Sequence, residues 1–179
     1  MPQIVTKEEM QHLLTRKREV IEEWRTLRPR LPEPVPRPPA SEEEIRTFEQ
    51  RLGIALPWSY RLFLSIHNGF SNWGPEFDLL SIEEMEGGKD SKRVVTYKEE
   101  AWEVGDSLGV SGLVIGLHRW KGQADILDTS SRDAEGECPV VSCEILEMAR
   151  YSNFHEYVKE MVDITQELVA EEKQELQKE

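Results

Sequence analysis

At 179 residues, with 38% hydrophobic and 32% charged side chains, the chain suits one domain with an appendage. Its net charge of −13 argues against non-specific nucleic-acid binding, which needs Lys and Arg to neutralise phosphates, and against an anionic membrane surface. An acidic chain of this kind instead speeds encounter with cationic partners.

Residues 1–11, MPQIVTKEEMQ, lack the charged-then-apolar pattern of a signal peptide. No stretch approaches the roughly 18 apolar residues of a membrane span. A cytoplasmic protein with free thiols is expected. If Cys138 and Cys143 share a strand, their odd separation points them to opposite faces and disfavours a mutual disulfide.

Thr6 with Glu9 makes a capping box. Met10, Leu13, Leu14, Val20, Ile21, Trp24 and Leu27 follow at helical spacing, broken only by Lys17, so a helix is expected over 7–28. Its stripe is apolar enough to require packing, and docking on its own domain is favoured over a partner helix or a dimer seam. Residues 28–40 hold six of the ten prolines and read as an extended polyproline segment. A stiff spacer along the domain surface is favoured over a ligand for aromatic grooves.

Residues 40–69 form the most sharply punctuated stretch. Ser41 with Glu44 is a second capping box, and Ile45, Phe48 and Leu52 share one helix face. Gly53 supplies a left-handed stop, and Pro57 opens the next helix. Tyr60, Phe63, Leu64 and His67 make its buried stripe, and Asn68-Gly69 ends it. Trp58 lies off that stripe, where the N-terminal segment could cover it.

Residues 71–75 read as loop, 77–80 as a short strand, and Ser81 with Glu84 as a brief capped turn. Residues 86–90, EGGKD, form a break. Over 94–104, Val94, Tyr97, Ala101 and Val104 recur at helical spacing, while Val-Val-Thr-Tyr favours a strand. Segments 113–117, 124–128, 140–143 and 145–148 read as antiparallel strands, with a hairpin turn at RWKGQ and a longer polar turn over 130–137. Ser152-Asn153 caps a last helix lined by Phe154, Tyr157, Val158, Met161, Thr165 and Leu168. Beyond about residue 171 the polar sequence should fray.

The run of a capped acidic helix, LGI-x-LP-x-x-Y-R-x-F-L and HNG resembles the SMI1/KNR4 family, or SUKH superfamily. The resemblance continues more weakly through Asp78-Leu79-Leu80, residues 122–128 and Ser152-x-Phe154-x-x-Tyr157, covering roughly 38–162. It implies a helix over 94–104 and an α+β fold, with an antiparallel sheet of four to six strands packed against helices. The expected organisation is residues 1–37 as helix and proline-rich arm, 38–170 as the family domain and 171–179 as tail. The resemblance also implies a non-catalytic, bacterial-type immunity protein that binds and blocks a toxin. The other reading is a scaffold module like the fungal regulators of cell-wall assembly.

The residues themselves suggest no active site. His12, His67, His118 and His155 fall in four different elements without partners at metal-ligand spacing, so no metal or cofactor is expected. Asp125 and Asp128, three apart on a strand, face opposite sides, and Asp128 is expected to stabilise a turn. Residues 1–37 carry eight basic and six acidic side chains, leaving −15 on the remainder. Ten acids lie between Glu76 and Asp106 against four basic residues. For the toxin that the resemblance implies, this charge leads to the expectation of a cationic, nuclease-type groove, met by a face comprising Trp73, Glu76, Trp102, Glu103, Trp120 and Asp125. Loop tryptophans among acids would supply apolar anchors within a charged rim.

Overall fold

The computed structural model describes residues 5–86, 92–120, 122–144 and 146–178. The expected break over 86–90 lies, beyond Glu86, outside the described residues. So do Lys121 of the expected hairpin turn and Ile145 of the last expected strand.

Helix α1 (Lys7–Leu27) begins at the Thr6–Glu9 capping box. The proline-rich arm follows and contributes a two-residue strand, β1 (Val35–Pro36), to the sheet edge. Helix α2 (Glu42–Leu52) carries the Ser41–Glu44 box and stops at Gly53 with φ of 70°. It buries Ile45 and Phe48, but Leu52, expected on that face, is exposed. Pro57 is the N-cap of α3 (Trp58–Ile66). Gly69, with φ of 92°, lets the chain pass so close to the next segment that a Cβ would stand 2.8 Å from the Ser81 backbone nitrogen.

The chain then enters β2 (Phe70–Gly74), where a loop was expected, and β3 (Phe77–Leu79). A short capped helix, α4 (Ile82–Met85), follows. Residues 94–104 resolve as helix: α5 spans Lys92–Glu103 and is succeeded by α6 (Ser107–Ser111), which the sequence did not signal. Strands β4 (Leu113–His118), β5 (Gln123–Leu127), β6 (Val140–Glu144) and β7 (Leu146–Tyr151) precede α7 (Phe154–Leu176). Helix α7 continues past residue 171, and its last turns are tied to α1 by the pairs Arg28–Glu172 at 2.6 Å and Lys173–Glu23 at 2.5 Å.

The fold is α+β. Its sheet has seven strands in sequence order, each antiparallel to the next, one more than the expected upper bound. The sheet separates two apolar layers. Phe70, Trp73, Leu79, Ile115, Leu127 and Val140 pack with α3, α7 and the N-terminal half of α1. Val114, Leu117, Ala124, Ile126, Val141 and Cys143 pack under α5. Alternate residues of one strand thus enter different layers, as the pleat requires. Cys138 and Cys143 are free, buried and assigned to opposite layers. In α7 the buried stripe is Phe154, Tyr157, Val158, Val162, Thr165 and Val169, and Leu168 is exposed instead of lining it.

The arm lies along the domain. Arg37 N donates to Gly69 O at 3.1 Å and Ala40 N to Leu64 O at 2.9 Å. The Arg37 guanidinium pairs with Glu84 at 2.7 Å. Trp58 is half-exposed, and its Nε1 donates to Val5 O at 2.9 Å.

Candidate protein-binding surface

The structure divides the six residues expected to form one face. Trp73 and Asp125 are buried, at 2% and 4% exposure, on the α7 side of the sheet. Pairing of β2 turns Trp73 inward, and alternation along β5 points Asp125 at α7. There Trp73 Nε1 donates to Tyr157 Oη at 3.0 Å, and Tyr157 Oη donates to Asp125 Oδ2 at 2.5 Å. Ser142 Oγ donates to Asp125 Oδ1 at 2.5 Å. Lys17, the one interruption of the α1 stripe, joins them. Its Nζ donates to Met161 O at 3.0 Å and Thr165 Oγ1 at 2.5 Å, and stands 5.0 Å from the centre of the Trp73 ring. Burial lowers the Lys17 pKa to about 7 against the opposing pull of Asp125. Burial raises the Asp125 pKa, although Ser142, Tyr157 and Lys17 all favour its charged form. This interior cluster holds α1 and α7 to the sheet, and neither Trp73 nor Asp125 is part of an outer face.

The other four residues lie outside: Trp102 and Glu103 on α5 across the sheet, and Glu76 and Trp120 in the turns beside it. Trp102 and Trp120 are 75% and 78% exposed. Trp102 and Glu103 end α5. At about 100° per residue, Val95, Lys98 and Trp102 form one flank of that helix. Arg93, Thr96 and Glu100 form the other flank, and Glu99 and Glu103 make the ridge between. A shallow depression of about 450 Å³ is lined by Val95, Lys98, Glu99, Trp102 and Glu103. The second flank faces the turn after β4, where Trp120 stands; a Cβ on Gly122 would be 3.4 Å from Glu100 Oε2. The two exposed tryptophans therefore bracket an acidic ridge.

Local bonding explains why this ridge is free to act. Lys98 Nζ is committed to Val110 O at 3.1 Å and Gly112 O at 3.2 Å at the end of α6. Among the described residues, Glu99, Glu100 and Glu103 enter no ion pair.

Trp120 is held by the residues just before it. Its backbone N donates to His118 Nδ1 at 3.1 Å, and Arg119 N donates to Glu76 O at 2.7 Å. Glu76 adopts a positive φ of 59°, and its exposed carboxylate is 3.8 Å from His118 Nε2. Arg119 forks onto Asp78, Nε to Oδ2 at 3.1 Å and Nη2 to Oδ1 at 2.8 Å, and also reaches Asn72. Arg93 of α5 meets the same Asp78 at 3.3 Å. Burial would raise the Asp78 pKa, but Arg119, the Asn72 N–H and Arg93 outweigh it and hold the carboxylate below its usual range. Asn72 Nδ2 in turn donates to Glu33 O of the arm at 2.5 Å. Arm, sheet and hairpin are thus tied to one carboxylate.

Sequence reasoning missed Lys92, Arg93, Val95, Glu99, Glu100 and Arg119 as parts of this surface. The available signal was the run Val95, Glu99, Trp102, Glu103, which places an apolar flank beside an acidic ridge once α5 is accepted as a helix.

His67 Nδ1 lies 3.2 Å from Arg37 O, and Asp128 accepts from Ser130 Oγ at 2.6 Å and pairs with Arg150 at 3.1 Å. The Asp128 bonds are the turn role expected of it, whereas His67, expected in the buried stripe of α3, is the partly buried C-cap residue of that helix. Among the described residues, no group of three or more His, Cys, Asp or Glu could hold a metal ion, and no helix is long and apolar enough to cross a membrane.

The sequence profile of the SMI1 / KNR4 family (SUKH-1) matches residues 39–161. The chain belongs to the SMI1/KNR4 family. The match spans α2 through the first two turns of α7, so the family region includes α5, the hairpin and β2, the sheet neighbour of β1, but neither α1 nor β1. Comparison with curated proteins finds no match. Membership is consistent with an immunity-protein role.

Proposed function

We propose that this SMI1/KNR4 protein is a non-catalytic immunity protein that binds a cognate toxin and neutralises it by protein–protein contact. The observation that carries this reading is the pair of highly exposed tryptophans, Trp102 and Trp120, bracketing Glu99, Glu100 and Glu103, which enter no ion pair among the described residues. Large aromatic anchors near unpaired charge are the composition of an interface hot spot and its rim. The acids would meet a cationic surface on the toxin, such as the substrate groove of a nuclease, and accelerate association. The tryptophans, once buried, would slow dissociation. Glu76 borders the same area from the β2–β3 turn. A constitutive scaffold docking through a free proline-rich arm is less well supported, because the arm is engaged with β2 and α4.

The test takes the product of the neighbouring reading frame as the candidate toxin and measures binding kinetics across a salt series. Association should slow steeply as salt rises. Replacing Glu99, Glu100 and Glu103 with Gln should lower the on-rate. Trp102→Ala or Trp120→Ala should raise the off-rate by about tenfold or more, the equivalent of about 1.4 kcal/mol. Salt-independent association, together with unchanged dissociation in both tryptophan variants, would remove this surface and its electrostatic role.

A further inference from the structure

Beside the acidic ridge lies a feature of opposite sign. A cleft of about 290 Å³ opens between the first turns of α5 and the end of β4. Its lining includes Lys92, Arg93, Tyr97, Glu100, Arg119 and Trp120. The first turn of α5 carries no acid, unlike those of α1, α2, α4 and α7; Lys92 and Arg93 occupy it instead. The positive end of the helix dipole therefore adds to two side-chain cations at the cleft.

Among the described residues, the bonding of the two guanidinium groups leaves two nitrogens without a partner, Arg93 Nε, which is buried, and Arg119 Nη1. Arg93 spends Nη1 on Asp78 at 3.3 Å and Nη2 on Leu117 O at 3.0 Å. Arg119 spends Nε and Nη2 on Asp78 and Asn72. Its Nη1, with two N–H donors, has no partner among the described residues, and its side chain is 31% exposed. Lys92 is exposed at the same mouth. Asp78 holds both guanidinium groups in place, so these donors are preorganised rather than floppy.

We infer that this cleft receives a single carboxylate, accepted between Arg119 Nη1 and the Lys92 ammonium, with the group that bears it packed on the Trp120 ring. Charge decides carboxylate over phosphate. Among the described residues, Lys92, Arg93 and Arg119 face Asp78 and Glu100, which leaves about one positive charge, enough for a monoanion. A phosphate dianion would be in excess and would face Glu100 across the cleft. The two oxygens of a carboxylate can be shared between the donors left, one on Arg119 Nη1 and one on the Lys92 ammonium. Resting on the surface proposed above, the inference adds that the partner presents an acidic side chain or a chain terminus here while its basic groups meet the α5 ridge. Such a mixed pattern rejects partners that are merely basic.

The test needs no toxin, so its failure is separate from failure of the toxin reading. The full chain, labelled for NMR, is titrated with N-acetyl-glutamate amide, with a dipeptide ending in a free carboxylate, with inorganic phosphate, and with sodium chloride at matched ionic strength. The expected result is a saturable shift of the Arg119 side-chain N–H and the Trp120 indole by one or both carboxylates, beyond the chloride response. The stronger of the two identifies side chain or terminus as the source. Affinity should fall about tenfold, or about 1.4 kcal/mol, in Trp120→Ala and in Lys92→Gln. Both residues are exposed, so neither variant should unfold. Carboxylate shifts no larger than those of chloride, tighter binding of phosphate than of either carboxylate, or unchanged affinity in both variants would overturn the assignment.

Discussion

Replacing Lys17 with Met should change how stability depends on pH. Lys17 is 3% exposed and its pKa falls from 10.5 to about 7 through burial. Between those values the unfolded chain holds a proton that the folded chain releases. Stability should therefore rise with pH across this window and fall as pH drops toward 7, with a limiting slope of about 1.4 kcal/mol per pH unit. From pH 7 to 9.5 the accumulated difference is at most about 3 kcal/mol. Methionine has similar length, carries no charge and removes this dependence. Asp125, Tyr157, Thr165 and Trp73 face the site from β5, α7 and β2, and remain in both proteins. The variant should be more stable than the parent at pH 7, by about 1–4 kcal/mol as for other buried charges replaced by apolar residues. The gap should narrow as pH rises. Urea unfolding at half-unit pH steps from 6.5 to about 9.5 measures both curves. Stopping there avoids ionisation of unfolded-state tyrosines, whose folded counterparts Tyr60, Tyr97 and Tyr157 are all shifted upward by burial. Subtracting the curves cancels what the two proteins share. Parallel curves would mean that Lys17 is not held neutral by burial and that the energetic reading of the cluster is wrong.

Deleting residues 1–37 should lower the melting temperature or cause aggregation, since it removes β1 and uncovers the α7 face that receives Met10, Leu14, Val20 and Trp24; a soluble monomer melting at the parental temperature would show that α1 is dispensable to the domain. Glu137→Ala should cost about 1–2 kcal/mol in urea unfolding, because Pro57 gives α3 no side-chain cap and Glu137 instead accepts from Ser59 N at 2.9 Å and Ser59 Oγ at 2.5 Å. An unchanged midpoint would remove the capping role.

The helices of this fold were legible because their signals are local. Thr6 with Glu9, Ser41 with Glu44 and Ser81 with Glu84 each form the reciprocal bonds that their spacing implies. The first two strands were not legible, because what makes them strands is remote. Val35 pairs with Ser71 and Phe70 with Leu79 across a register shift, while Asn72 and Glu76 take positive φ. Read alone, prolines before β1 and Ser, Asn, Gly and Pro around β2 signal a loop. The error at Leu168 has a different cause. Val162, Thr165 and Val169 keep the helical stripe of α7 facing inward, and Leu168 lies about 100° from Val169 around the axis.

The candidate surface was half legible for a reason that applies to every polar or aromatic residue in it. Trp73 and Trp120 both sit among loop-forming neighbours, and nothing local separates them. What separates them is whether an internal partner exists. Trp73 finds the Tyr157 hydroxyl, 84 positions away, and is drawn into the core. Trp120 lies past the end of β4, where no element covers it. Asp125 follows the same rule. A buried carboxylate needs donors, and Ser142 and Tyr157 provide them from two other elements, with Lys17 of a third acting on it electrostatically. The trace of this in the sequence was Lys17 itself, the single charged interruption of an apolar helix stripe, which demanded an interior counterpart. A side chain whose bonding capacity is filled inside the fold has little left to offer a partner. Among the described residues, the side chains of Glu99, Glu100, Glu103, Trp102 and Trp120 have no such internal commitments, so the proposed contact surface consists of what the fold leaves unused.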